Sequence, residues 1–256
     1  MPGLQADTAI GRIELVELGP GDAAGVEQLF TAAEQRVAPG FLALRRPGQY
    51  AELLGRDDAV VVGVRHGGTL VGYSACYRIY ENPYPDVRFL RGLDPVGSIA
   101  YHGAGTVIDP HHEGRMLSRR LFLARSDALR RRGSKHFLGL IAVGNWLSIG
   151  NAVHAGGALV GMARDETALM NYVAYAGDLA GSPMAPSAAL ADWTDSEAHE
   201  RLFAAGSIVT GLQVTRAPDK LGHRRSHHFI FSRPLRDVAR EALHERSSCK
   251  DAPIRS

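Results

Sequence analysis

Cysteine is almost missing: the 256 residues hold two, Cys76 in an apolar run and Cys249 in a polar tail. That excludes a disulfide framework, and both read as free thiols. Long apolar runs are missing too, since no stretch approaches the roughly 18 residues of a membrane span. The first fifteen residues lack a basic segment followed by an apolar one, so no secretory signal is expected and the protein reads as cytoplasmic, without a membrane partner. Charge of one sign is lacking as well. The formal net charge is +2, which supplies no bulk attraction for nucleic acid, and the short basic runs Arg130 to Arg132 and Arg224-Arg225 are too small a surface to change that. There is no internal repeat.

Three tempting motifs also fail. His112-Glu113 opens like a zincin helix, but the second histidine's place is taken by Met116. His223, His227 and His228 have no cysteines nearby and enclose Arg224 and Arg225, so a polar surface segment is expected there rather than a metal. Gly103-Ala104-Gly105 lies inside an apolar run, before any helix, and lacks the third glycine of a dinucleotide site. It marks a bulge or a close backbone approach instead.

What is present suits a packed core: 45% hydrophobic and 22% charged residues. Ile13 to Leu18 alternates weakly as a strand, and Asp22 stands as N-cap before a helical pattern of Ala24, Val26, Leu29, Phe30 and Ala33. A short helix is expected near Gln49 to Leu54. Ala59 to Arg65 and Thr69 to Ile79 read as a hairpin across His66-Gly67-Gly68. Two prolines then make a loop of residues 81–86.

The stretch from Ser98 to Ala158 organises the rest. An apolar strand, Ser98 to Ile108, meets Asp109-Pro110, and a long helical pattern starts at Gly114 with Leu117, Leu121, Ala124 and Ala128 as its apolar stripe. The first backbone N–H groups of such a helix are free and carry partial positive charge, so the loop before it is an anion site suited to a phosphate. Arg115 and Arg119 sit in its opening turns. Arg120 and Arg125 read either as further cations near that anion or as a solvated basic face. A second strand, Lys135 to Val143, leads to Asn145 and another helix.

Val107-Ile108-Asp109-Pro110 followed by Glu113-Gly114-Arg115-Met116-Leu117-Ser118 resembles motif A of the GNAT N-acyltransferases, and Asn145, Ser148 and Gly156 resemble the family's spacing along its fourth helix. The resemblance covers roughly residues 60–161. Glu113, Met116 and Ser118 depart from the family's Arg or Gln, central Gly, and final Gly or Ala. It implies an α/β (α+β) GNAT fold, a central mixed sheet with flanking helices. A single domain is expected over 1–236, with a core of about 13–162 plus a last strand at about 228–235. A segment of about 178–226 would be inserted before that strand, and 237–256 would form a tail. The insertion, with a helix from Ser196 to Ala205 and a strand around Ile208 to Val214, reads as a lid, a specificity element or an interface, which leaves room for a homodimer.

The resemblance also implies an activity: acetyl-CoA or a related acyl-CoA as co-substrate, no metal, and transfer to an amine of a small molecule or peptide by direct attack in a ternary complex. Acyl-CoA would be held by Thr106, Val107, Ile108, Gly114, Arg115, Met116, Leu117, Ser118, Arg119 and Asn145. The family's tyrosine acid and glutamate base fall on Ala152 and Leu140, so neither is present. Its other base position, six residues before Ile108, is His102, which titrates near neutral pH when unperturbed. His154 is the remaining candidate for protonating the thiol. Phe41 and Tyr101 are candidates to contact the acceptor, with ordinary core packing as the alternative. A degenerate acyl-CoA-binding module that senses or scaffolds without turnover is the rival reading.

Overall fold

The computed structural model of the chain describes residues 6–8, 11–37, 42, 46, 48–165, 168–177, 189–219 and 222–232. Phe41, the expected tail and most of the segment between Leu179 and Leu190 lie outside these residues. A short β1 (Ala6–Thr8) pairs with β2 (Gly11–Glu17). Next comes α1 (Ala23–Glu34), which buries Val26, Leu29, Phe30 and Ala33 as its spacing predicts. Asp22 holds the N-cap position without the usual cap bond. Its Oδ2 accepts from the Gly19 amide at 3.0 Å, and its Oδ1 is drawn to Arg65.

After α2 (Gln49–Leu54), strands β3 (Ala59–His66) and β4 (Thr69–Ile79) form the expected hairpin. A short α3 (Pro95–Ser98), capped by the Asp94 carboxylate, leads into β5 (Ala100–Ile108). Helix α4 (Leu117–Arg131) begins three residues later than its pattern suggested. Gly114 at φ 74° and Met116 at φ 58° are left-handed, a conformation that cannot propagate a right-handed helix. Then follow β6 (His136–Ala142), α5 (Trp146–His154) and β7 (Ala158–Arg164).

The remaining topology corrects the expectation. β8 (Met170–Gly177), not a strand near 228–235, closes the core: it lies between β6 and β7 and is antiparallel to both. This strand is buried on both faces, so it lacks the alternation that marks a half-exposed strand. β9 (Ala189–Asp192), α6 (Ser196–Ala204), β10 (Ile208–Asp219) and β11 (Gly222–Ser232) extend the sheet beyond β7 instead of interrupting it. The strand order is β1-β2-β3-β4-β5-β6-β8-β7-β10-β11-β9.

Helices α1 and α2 cover one face of β3 to β5, with Phe30, Tyr50, Tyr73 and Val107 in that layer. Helix α4 covers the other through Leu117, Leu121, Ala128 and Leu129. The extension has its own apolar layer, in which Ile149 and Ala152 of α5 meet Phe203, Phe229 and Phe231.

Where β4 backs β5, Gly72 leaves no room for a side chain. A Cβ there would lie 2.6 Å from Ile108 Cδ1 and 2.9 Å from the Val107 carbonyl oxygen. The carbonyl belongs to β5 and cannot move without the strand. Gly72→Ala should therefore cost about 1–3 kcal/mol, the usual scale of overpacking, read as a lowered urea midpoint at unchanged slope; an unchanged midpoint would contradict the packing described.

Candidate active site

The central feature is a parting of two strands. β5 and β6 are parallel, but they pair only at Ala100, Tyr101 and His102 against His136, Phe137 and Leu138. Beyond that vertex each runs on without the other. The cause lies on the opposite edge of β5, where Ser74 faces Thr106 but Cys76 faces Gly103. Ala104 and Gly105 thus oppose Ala75 alone, the two-against-one count of a β-bulge, which bends a strand and increases its twist. Gly105 takes φ 114°, open to glycine and strained for other residues, while the Tyr50 hydroxyl donates to the Ala104 carbonyl at 3.3 Å. The bulge expected at Gly103 to Gly105 is present.

Because the bulge adds a residue, it reverses which face each later side chain takes. Thr106 contacts Ser74 on the α4 side, and Ile108 packs in the α4 layer. His102 turns the other way, with Tyr77 and Tyr84 rings 5.7 Å from its own. Even spacing therefore fails to put His102 and Ile108 on one face. Tyr101 is likewise not on the face of His102: it is buried against α4.

His102 differs from its expected chemistry in one further respect. Its Nε2 is hydrogen-bonded to the Tyr84 hydroxyl, and Nδ1 is buried without a partner among the described residues. Burial pushes its pKa down to about 4, so it is neutral, not half-titrated, near pH 7. Burial also raises the Tyr84 phenol.

The parted strand feeds an organised loop. Asp109 Oδ1 accepts from the His111 amide at 2.9 Å and from His112 Nδ1 at 3.1 Å, and His112 Nε2 meets His66 Nδ1 at 3.0 Å. Burial opposes ionisation of Asp109, but the His112 and His111 donors outweigh it and hold the carboxyl below its ordinary range. Arg36 at the end of α1 reaches Glu113 at 3.2 Å. From Gly114 to Arg119 no backbone amide donates to a described residue, and Met116 supplies no side-chain cap. Arg115, Arg119 and Arg120 surround this end without an ion pair among the described residues. Leu117 is buried in the α4 layer while its amide stays at the helix start, and Ser118 follows it. The end can hold an anion by its amides, its dipole and its cations together.

The other expected residues lie elsewhere. Asn145 is the N-cap of α5, its Oδ1 accepting from the Ser148 amide at 3.2 Å. His154 is exposed at the far end of α5, its Nδ1 directed to the Gly150 carbonyl at 2.7 Å. Sequence reasoning missed Arg125. It is buried beneath the parting, with its guanidinium 4.5 Å from the Phe122 ring centre and 4.1 Å from that of Phe137. The signal was its spacing, four residues past Leu121 and eight past Leu117, which puts it on the apolar stripe. A cavity of about 370 Å³ lies away from this region, bordered by Arg88, Gly161, Glu200 and Phe203.

No protein-family model matches the chain, and no curated protein matches its sequence. Solved structures do. An N-acetyltransferase from Staphylococcus aureus Mu50 aligns over 64% of this chain and 97% of its own at TM-score 0.50 and 12% identity. A ribosomal-protein-S5-alanine acetyltransferase from Vibrio fischeri aligns over 70% of this chain and 100% of its own at TM-score 0.51 and 14% identity. The fold is that of the GNAT N-acetyltransferases, as the motif resemblance implied.

The state of His102 leaves a mark on stability. Its pKa falls from 6.5 in the unfolded chain to about 4 on folding, so the fold favours the neutral ring. Stability is then complete above the unfolded value and is lost as pH drops toward the folded one, with a slope approaching about 1.4 kcal/mol per pH unit. Urea unfolding across that window should show this slope in the wild type and a shallower one in His102→Gln; equal slopes would contradict the burial described.

Proposed function

We propose that the chain is an acyl-CoA-dependent N-acyltransferase that moves acetyl from acetyl-CoA to an amine of a small molecule or peptide, by direct attack in a ternary complex. The observation that carries this reading is the parting of β5 from β6 running into a helix start whose amides have no acceptor among the described residues. An unpaired strand edge offers hydrogen bonds to an extended, amide-bearing arm such as pantetheine. The helix start then meets a pyrophosphate. Thr106, Val107 and Ile108 hold the arm by their backbone. The amides of Gly114, Arg115, Met116, Leu117, Ser118 and Arg119 hold the phosphates, with Arg115 and Arg119 adding charge, and Asn145 at the start of α5 meets the arm.

The acceptor enters on the α1 and α2 face, where His102, Tyr77 and Tyr84 gather. The amine nitrogen bonds to the thioester carbon, the carbon–sulfur bond breaks, and the electron pair leaves with the sulfur. The proton lost by nitrogen passes to the neutral His102–Tyr84 pair, directly or through water. His102→Asn should lower kcat by roughly 10²-fold, the lower end of general-base effects, at unchanged KM for acetyl-CoA. With its pKa near 4, His102 gives kcat/KM no inflection near neutral pH.

Two measurements test the reading. In calorimetry, Gly114→Val should weaken CoA binding about tenfold or more in a folded protein, since φ 74° is strained for a β-branched residue. An amine panel with acetyl-CoA, followed by thiol release and mass spectrometry, should give an acetylated product. CoA binding without turnover on any amine would favour the sensing module, and no CoA binding would overturn both.

A further inference from the structure

One charged group has no part in that chemistry. Arg125 is 4% exposed and, among the described residues, has no carboxylate partner. Taking an unpaired guanidinium out of water is costly, and the rings of Phe122 and Phe137 return only part of that cost. An apolar residue would suit the stripe better if packing were its sole duty. Burial pulls Arg125 down to about 10, which leaves it cationic near neutral pH.

Its hydrogen bonds have a direction. A guanidinium only donates, so Arg125 Nη1 gives its proton bond to Ser74 Oγ at 2.8 Å. Ser74 is fully buried, and its one other partner among the described residues is Thr106 Oγ1 at 2.7 Å. The Ser74 proton must therefore go to Thr106, or it would be buried unpaired. Thr106 accepts, and its own proton stays free to be given outward. Thr106 is exposed and is the first residue of β5 beyond the bulge, on the stretch that has lost β6.

We propose that Arg125, Ser74 and Thr106 form a polarised hydrogen-bond chain that presents the Thr106 hydroxyl to the sulfur of a bound CoA thioester. This inference rests on the acyltransferase reading, which runs the thioester-bearing arm along Thr106 to Ile108 on the stretch of β5 that has left β6. Sulfur is the group in need of a donor. The family's acid position is the apolar Ala152, and His154 is turned to the Gly150 carbonyl, whereas the thioester oxygen can use backbone amides freed along β5. As the carbon–sulfur bond breaks, the Thr106 hydrogen bond stabilises the thiolate, and the chain behind it strengthens that bond without giving up a proton. Thr106 touches the substrate; Ser74 and Arg125 are positioning residues.

Calorimetry with CoA and desulfo-CoA tests this apart from turnover. Wild type should bind CoA more tightly than desulfo-CoA, and the ratio should fall at least threefold in Thr106→Val while Thr106→Ser keeps it. Ser74→Ala should lower the ratio too, and it retains a volume that Arg125 variants would disturb. With a reactive amine, Thr106→Val should lose about tenfold in kcat at unchanged KM for acetyl-CoA. A ratio unaffected by Thr106→Val, with CoA still bound, would overturn the chain's role and leave the acyltransferase reading standing. Failure of wild type to bind CoA would overturn both.

Discussion

The two-against-one bulge at Ala104 and Gly105 is the constraint on which the rest of the site depends. One extra residue in β5 does three things together. It ends the pairing with β6 at His102, it turns Thr106 toward α4 and leaves His102 on the other face, and it aims the strand's end at the loop before α4. Gly105 makes the conformation accessible, and Tyr50 holds it from α2. Remove the extra residue and β5 would continue beside β6 as an ordinary parallel pair, closed to any extended ligand.

Electrostatics then divide the molecule. The start of α4 gathers amides and three arginines, Arg115, Arg119 and Arg120, that have no hydrogen-bond acceptor or ion-pair partner among the described residues, a positive pole at the mouth of the parting. Arg125 carries a fourth positive charge beneath it, shielded from water by Phe122 and Phe137. The sheet extension beyond β7 is different in kind: aromatics are only 7% of the chain, yet Trp146, Trp193, Tyr172, Phe203, Phe229 and Phe231 crowd together there. His199 sits fully buried among them with both ring nitrogens bonded, to Tyr172 at 2.8 Å and to the Asp192 carbonyl at 2.9 Å. A histidine with both nitrogens satisfied in this way fastens α6 to β8 and β9.

Much of this was legible in the sequence where local chemistry decides. The hairpin across Gly67-Gly68, helix α1, the strand–loop–helix order and the bulge at its glycines follow from turn residues and periodicity. What escaped depends on tertiary context. β8 is apolar on both faces, so alternation could not reveal it, and without it the last strand was sought near 228. Arg125 reads in sequence either as a cation near the anion or as part of a solvated basic face, although its spacing from Leu117 and Leu121 puts it inside. The face taken by His102 hinged on one inserted residue, and its depressed pKa on burial that no short motif encodes. Asn145 and Gly114 were marked in the sequence, but whether each serves a cap, a turn or a ligand is a matter of placement.

The central claim is that acyl-CoA lies along the freed edge of β5 with its phosphates at the start of α4. Amide hydrogen exchange with and without acetyl-CoA tests it residue by residue. The account predicts new protection at Thr106 to Ile108 and at Gly114 to Arg119, with little change at β10 and β11. Protection confined to the cavity bordered by Arg88, Gly161 and Glu200, or none anywhere at saturating acetyl-CoA, would contradict it.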